Sequence, residues 1–162
     1  MTNIAALVYA AIVSLWLQEG PLPPWAMQAL PLAIDVAEAA HARPLPGPEG
    51  ELRMAAILTA LLFHESRANP EAVGDKGQSL GAWQISRHWP AHDATQAAIL
   101  VHESFRVCAS RPLAERLGWY ASGGPTCGRP ASSRIRMALA GRLLRLWQAP
   151  RAGELQGVLS AR

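Results

Sequence analysis

The stretch from Leu58 to Ser86 constrains the fold more than any other part of the chain. It begins as an apolar helix whose residues turn by about 100° each, and one face carries Leu58, Leu61, Leu62 and Glu65. Asn69-Pro70 should end the helix, because a residue before proline avoids the α region. Glycines at 74, 77 and 81 then permit close backbone approaches. We therefore expect a loop that folds back over the helix end and forms a cleft wall beside Glu65.

Glu65 is the candidate general acid of this stretch. An apolar face disfavours the charged form of a carboxyl, and so does the partial negative charge at the end of a helix. Both effects should raise the pKa of Glu65, and a carboxyl protonated near neutral pH is what a general acid requires. The alternative is a structural carboxylate that is solvated or paired with a nearby cation, here Arg67.

The same residues form an ordered motif of three parts. Glu65-Ser66 is followed by Asn69-Pro70 and then by the segment 74–85, GDKGQSLGAWQI. This order resembles the core motif of the lytic transglycosylase and goose-type lysozyme superfamily. The resemblance implies a mainly α, lysozyme-like domain with a small irregular or β-like region around 73–88. It also implies cleavage of peptidoglycan glycan strands between N-acetylmuramic acid and N-acetylglucosamine, with Glu65 as acid/base and Ser66, Ser79 and Gln84 near the sugars.

A second landmark lies at Trp119–Gly124, WYASGG. It resembles the Ala-Tyr-Asn-Ala-Gly motif of the same superfamily, in which a tyrosine lies beside the catalytic acid. Tyr120 and Gly123 match, whereas Ala121 stands where the family usually has asparagine. A Tyr120 hydroxyl could hydrogen-bond the acid and fix its rotamer. The alternative is a partly buried tyrosine that donates to a backbone carbonyl.

The second carboxylate decides the predicted reaction. Asp75 matches an aspartate of the goose-type pattern that could position a water for hydrolysis, but Ser86 replaces a further aspartate of that pattern. A transglycosylase needs no water, because the muramic 6-hydroxyl attacks the anomeric carbon and gives a 1,6-anhydro end. With the water-positioning set incomplete, we favour transglycosylase over hydrolase. Glu103, in a His-Glu-Ser echo of the motif, is expected to be non-catalytic unless it faces the cleft.

Three tryptophans are candidates to pack against sugar faces: Trp83, Trp89 and Trp119. A tryptophan alone lies more often in the core or at the rim, since tryptophan buries readily. We predict no metal and no cofactor, because the histidines and cysteines lack zinc-ligand spacing and the segment 74–81 lacks a phosphate-loop Gly-Lys-Ser/Thr.

The length of 162 residues fits one domain over 1–162, with a tail from Ala149 that is ordered in part at best. Four helices are predicted after the first: Trp25–Ala42 with Pro31 near its true start, Glu49–Arg67, Ala94–Ser110 and Ala131–Gln148. In the last helix, an apolar stripe is expected to face the core: Ile135, Leu139, Leu143 and Leu146. We expect a monomer.

The first helix falls within residues 1–20. Its run Ile4–Leu17 is apolar over 14 residues, which is short of the roughly 18 needed for a membrane span. We predict a buried helix of the fold, with a weak signal or releasable anchor as the alternative and as the one possible route to a membrane. Cys108 and Cys127 flank the Tyr120 segment and would form a bridge if the protein works outside the cytoplasm.

The predicted partner is the glycan strand of peptidoglycan, and the predicted location is the cell envelope, periplasmic or extracellular, with phage delivery as one route. The net charge of +3 suits an anionic wall but is weak evidence. Two other classes remain as alternatives: a catalytically inactive wall-binding or virion structural module, and a helical nucleic-acid binder. The second is poorly supported by so small a net charge, and we expect no nucleic acid as a partner.

Overall fold

A computed structural model describes residues 3–123 and 126–149 of the chain. Within these residues the protein is a single, mainly α domain with six α-helices and a small antiparallel sheet of three strands. The helices are α1 (Ile4–Glu19), α2 (Ala29–Ala42), α3 (Gly50–Ser66), α4 (Ala94–Val107), α5 (Gly118–Ser122) and α6 (Pro130–Gln148). The strands are β1 (Val73–Gly74), β2 (Ser79–Leu80) and β3 (Ile85–Ser86). The predicted tail from residue 150 onward and Gly124 lie outside the described residues.

Helix α3 is the centre of the domain. All ten residues from Met54 to Phe63 are buried, and the helix packs against α1, α2, α4 and α6. The predicted apolar face is confirmed, because Leu58, Leu61 and Leu62 have no exposed surface. The buried part of α3 ends at Phe63, and Glu65 lies two residues further on, where the helix emerges from the core.

Helix α1 belongs to the core, as the prediction of a buried first helix required. Asn3 caps it by accepting a hydrogen bond from the Ala6 backbone N–H at 3.1 Å, and Ile12 and Trp16 are buried against the neighbouring helices. The Trp16 indole Nε1 donates to the Arg67 carbonyl at 2.8 Å and so ties α1 to the end of α3. Among the described residues, no helix combines the length and the apolar character that crossing a membrane would require.

The glycine-rich loop between α3 and α4 contains the sheet. Its strand order is β1-β2-β3, with Val73 opposite Leu80 and Ser79 opposite Ser86. The prediction of a small β-like region around 73–88 is confirmed. These short pairs brace the loop internally. At the end of α3 two consecutive residues, Arg67 and Ala68, adopt left-handed backbone conformations and turn the chain away from the helix.

Helix α2 begins at Ala29 with Pro31 in its first turn, as predicted, and α4 ends at Val107, three residues earlier than expected. The predicted stripe of α6 is wrong in part, because Ile135 and Leu146 are 57% and 65% exposed. The buried face keeps Leu139 and Leu143 of that stripe and adds Ser133 and Ala140.

A disulfide joins Cys108 at the end of α4 to Cys127 before α6, with Cα atoms 5.6 Å apart. It closes the segment that carries α5 and Tyr120. Of the two alternatives for the cysteines, the structure therefore shows the bridge.

Candidate active site

A cleft of about 710 Å³ runs past the end of α3. One side is built from the glycine-rich loop and the other from α5 and the first turns of α6. Its lining contains the residues Glu65, Gly74, Asp75, Ser79, Gln84, Ile85, Ser86, Trp89, Leu100, Trp119, Tyr120, Ala121, Ser122, Gly123, Arg129 and Arg136. The structure thus brings together five predicted site residues that are separated by up to 55 positions in sequence.

Glu65 is held by an arginine that the sequence reasoning missed. Arg136 of α6 donates to Glu65 Oε1 from Nε at 2.8 Å and from Nη2 at 2.7 Å. The two side chains are 16% and 14% exposed, so the pair lies mostly out of water. Both contacts fall on one oxygen, and no described group donates to Oε2. The alternative pairing with Arg67 is wrong, because Arg67 forms its ion pair with Glu19.

Opposing effects act on the Glu65 carboxyl. Burial raises its pKa, the charge and hydrogen bond of Arg136 lower it, and the neighbouring charge of Asp75 raises it. The net direction is upward, because removing a carboxylate from water costs more than this one ion pair returns. The group is therefore poised to hold a proton at higher pH than an ordinary glutamate.

The loop side of the cleft depends on a close contact between Gly74 and Gln84. A Cβ at Gly74 would lie 1.9 Å from Gln84 Oε1, so any other residue at position 74 would require the amide to move from its place. Gln84 Nε2 donates to the carbonyls of Ala72 at 3.2 Å and Gly81 at 2.9 Å. The side chain lines the cleft, and its Nε2 group is held by the loop that it crosses.

Asp75 and Ser79 form a second polar group on the loop side. The Ser79 hydroxyl donates to Asp75 Oδ2 at 2.8 Å. Ser79 is buried, whereas Asp75 is exposed and adopts a positive φ of 48°. This carboxylate faces the same cleft as Glu65, as a water-positioning group would have to.

Tyr120 lies in the cleft, but its hydroxyl does not contact the acid. It donates to the Trp83 carbonyl at 2.9 Å, while the Tyr120 backbone N–H donates to the Ser104 hydroxyl at 3.1 Å. The alternative of a backbone carbonyl partner is thus the one observed, and the contact links α5 to the loop. Burial raises the pKa of Tyr120 well above its ordinary value, so the phenol remains a donor at neutral pH.

Two predicted substrate contacts need correction. Trp83 is 2% exposed and its Nε1 donates to the Leu58 carbonyl at 3.1 Å, so it is a core residue with no face for a sugar. The Ser66 hydroxyl donates to the Ala82 carbonyl at 2.7 Å and accepts from the Asn69 N–H at 3.0 Å. It joins the helix end to the loop and does not line the cleft.

Of the other aromatic and acidic candidates, the two tryptophans line the cleft and the glutamate does not. Trp89 and Trp119 both line the cleft, and Trp89 is 39% exposed. Glu103 does not line the cleft; it pairs with Arg106 on the same helix, and the hydrogen bond from that guanidinium lowers its pKa. The possibility that Glu103 supplies a second cleft carboxylate is therefore wrong.

No cluster of three or more His, Cys, Asp or Glu side chains suited to a metal occurs within residues 3–123 and 126–149. The chemistry available in the cleft is that of one largely buried carboxyl, one exposed carboxylate, two arginines and fixed amide and hydroxyl groups. Comparisons with models of known protein families, with curated proteins and with solved structures find no match to this chain.

Proposed function

We propose that this protein is a peptidoglycan-cleaving glycosidase with a lysozyme-like domain. It cuts the β-1,4 bond between N-acetylmuramic acid and N-acetylglucosamine, and it acts as a lytic transglycosylase. The observation that carries the proposal is Glu65, a carboxyl with a raised pKa that lines an open cleft. The opposite side of this cleft is the glycine-rich loop, whose sequence resembles the core motif of the lytic transglycosylase and goose-type lysozyme superfamily. The proposed partner is the glycan strand, and no cofactor takes part.

In the proposed reaction, protonated Glu65 donates to the glycosidic oxygen as the bond to the anomeric carbon of muramic acid breaks. The resulting carboxylate then accepts the proton of the muramic 6-hydroxyl while that oxygen attacks the anomeric carbon. The products are a 1,6-anhydromuramoyl end and a free 4-hydroxyl on N-acetylglucosamine. One carboxyl serves both steps, and the Gln84 amide and the Trp89 and Trp119 rings hold the sugars on either side.

A hydrolytic muramidase of goose type is the second candidate, and the place of Asp75 in the cleft favours it. There Asp75 would position a water for attack on the anomeric carbon, as the second carboxylate of a glycosidase does. Mass spectrometry of the released muropeptides separates the two reactions, because a transglycosylase leaves anhydro ends and a hydrolase leaves reducing ends. Asp75→Asn should leave transglycosylase activity largely intact and abolish hydrolysis.

An inactive wall-binding or virion structural module is the alternative of another class. Turbidity clearing of purified peptidoglycan distinguishes it from an enzyme. We expect wild-type protein to clear the suspension and Glu65→Gln to lose clearing while it still binds the glycan. Glu103→Gln is the matched control, since Glu103 occupies the same Glu-Ser context on a helix outside the cleft. Wild-type protein that binds but clears nothing would favour the inactive module.

The proposed site of action is the cell envelope. The Cys108–Cys127 bridge is in keeping with an oxidising compartment, where disulfides persist.

A further inference from the structure

Arg136 creates a problem for the proposed acid. It contacts Glu65 Oε1 through two nitrogens at 2.7 and 2.8 Å, and such charge-assisted bonds favour the ionised carboxyl. A general acid must carry a proton when substrate is bound. The Arg136–Glu65 contact therefore works against the chemistry proposed for Glu65.

The surroundings of Arg136 show what could replace Glu65 as its partner. Nη1 donates to the Ser132 carbonyl at 3.0 Å, which fixes the guanidinium from within α6. Both members of the pair line the cleft, so an anion bound there can reach the guanidinium. Arg129, the residue that precedes α6, also lines the cleft and forms no ion pair with any described residue.

We propose that Arg136 is a carboxylate receptor, and that a carboxylate of the substrate displaces Glu65 from it and so converts Glu65 to its acid form. In the exchange, one ion pair breaks, one forms, and Glu65 takes a proton from solvent. Before and after, the shielded part of the cleft holds one cation and one anion. A neutral sugar cannot drive this exchange, because it would leave the guanidinium without its counter-ion in a poorly hydrated site.

The inference rests on the proposed function and narrows its substrate class. The cleft should prefer a muramoyl glycan with a free carboxylate near the scissile bond over a neutral glycan of the same shape. Two parts of peptidoglycan supply such a group: the lactyl group of peptide-free muramic acid, and the carboxylates of a stem peptide.

Other charged groups near Glu65 must be held constant in a test. Asp75 approaches from the glycine-rich loop, Tyr120 from α5, Arg129 and Arg136 from the α6 side, and His64 lies on α3 itself. Burial and the charge of Arg136 lower the pKa of His64. His64 is therefore charged less readily than an ordinary histidine, and Arg129 and Arg136 are the cations among the residues that line the cleft.

The test uses the disaccharide N-acetylglucosaminyl-N-acetylmuramic acid, which lacks the bond to be cut. Binding is measured by calorimetry for the free acid, its lactyl methyl ester and its peptide-bearing form. We expect wild-type protein to bind a carboxylate form about 10- to 100-fold more tightly than the ester, the range for a hydrogen-bonded charge pair. The free acid and the peptide-bearing form identify which source supplies the carboxylate.

Arg136→Gln should bring the acid-to-ester ratio close to one, whereas Arg129→Gln should leave it unchanged. The ¹³C resonance of the Glu65 carboxyl should titrate at higher pH with the acid bound than in free protein, and should not move with the ester. A merely structural role of Arg136 predicts no such shift. If Arg136→Gln does not fold, the ¹³C titration of Glu65 in wild-type protein decides, because the acid-to-ester ratio alone could also arise from Arg129.

Equal binding of all three ligands would overturn the proposal. It would also be overturned if Arg129→Gln, and not Arg136→Gln, lost the preference for the acid over the ester. These results differ from a failure of the proposed function. A protein that discriminates acid from ester but cleaves no glycan contradicts the enzyme, whereas one that cleaves without discriminating contradicts the receptor.

Discussion

Replacing Glu65 by glutamine should change how stability depends on pH. Burial raises the pKa of Glu65 above its ordinary 4.5, so the folded protein holds this proton more tightly than the unfolded chain. The group therefore contributes stability that is fully present below pH 4.5 and is lost as the pH rises through the folded pKa. Each unit of elevation corresponds to about 1.4 kcal/mol. The side chain is only 16% exposed, so solvent screening removes little of this.

Glu65→Gln keeps the side-chain volume and an acceptor for Arg136 but removes the titration. We expect the free energy of unfolding of wild type, relative to this variant, to fall as pH is raised from about 4 to about 8. A difference of about 1 kcal/mol should appear as roughly 2–4 °C in Tm for a chain of this size. Urea unfolding at each pH gives the free energies, and thermal scans check them.

Glu103→Gln is the control of opposite sign. The hydrogen bond from Arg106 lowers the pKa of Glu103, so its contribution is present above the unfolded pKa and is lost as pH falls. Wild type should therefore gain stability relative to Glu103→Gln over the same rise in pH. If it also gains relative to Glu65→Gln, the ion pair with Arg136 outweighs burial and the general-acid argument loses its basis.

Three further predictions concern the walls of the cleft. Gly74→Ala should cost about 1–3 kcal/mol of stability by urea unfolding, because its Cβ would meet the Gln84 amide. In a Gln84→Ala background the same substitution should cost much less, and an equal cost in both backgrounds would refute the contact. Tyr120→Phe should lower the free energy of unfolding by about 1 kcal/mol, since the Trp83 carbonyl loses its donor, and an unchanged value would contradict that hydrogen bond. Reducing the disulfide, whose cysteines are 19 positions apart, should cost about 3 kcal/mol by the chain-entropy estimate, and an unchanged Tm would contradict the bridge.

The helices were predictable where the sequence is long and strongly patterned. Helix α3 was expected at Glu49–Arg67 and is observed at Gly50–Ser66, because its apolar run and the Asn69-Pro70 break are both local signals. The small sheet was predictable as a region only, since strands of two residues carry no periodicity. Half of the predicted stripe of α6 is wrong because arginines interrupt its apolar pattern and leave two overlapping faces to choose between.

The error in the buried face of α6 also explains why Arg136 was missed. It lies at helical spacing from the buried residues Leu139, Ala140 and Leu143, so it is the cation on the face that packs against α3. A search for a charged residue on that face would have found it. Its partner, Glu65, is 71 positions away, and no local pattern connects the two.

Trp83 was misplaced for a related reason. Its residue type and its place in the motif predicted a ring that contacts the sugar. Only the packed structure shows that the ring is in the core and that its indole N–H donates to the Leu58 carbonyl.

The rate at which defined muropeptides are released from purified peptidoglycan tests most directly whether Glu65 is the proton donor. The measurement compares wild type with Glu65→Gln under conditions where both are folded, with products identified by mass spectrometry. Loss of a general acid should slow release by about 10²- to 10⁴-fold, and the wild-type products should carry 1,6-anhydro ends. Release by Glu65→Gln at a rate comparable to wild type would contradict the account.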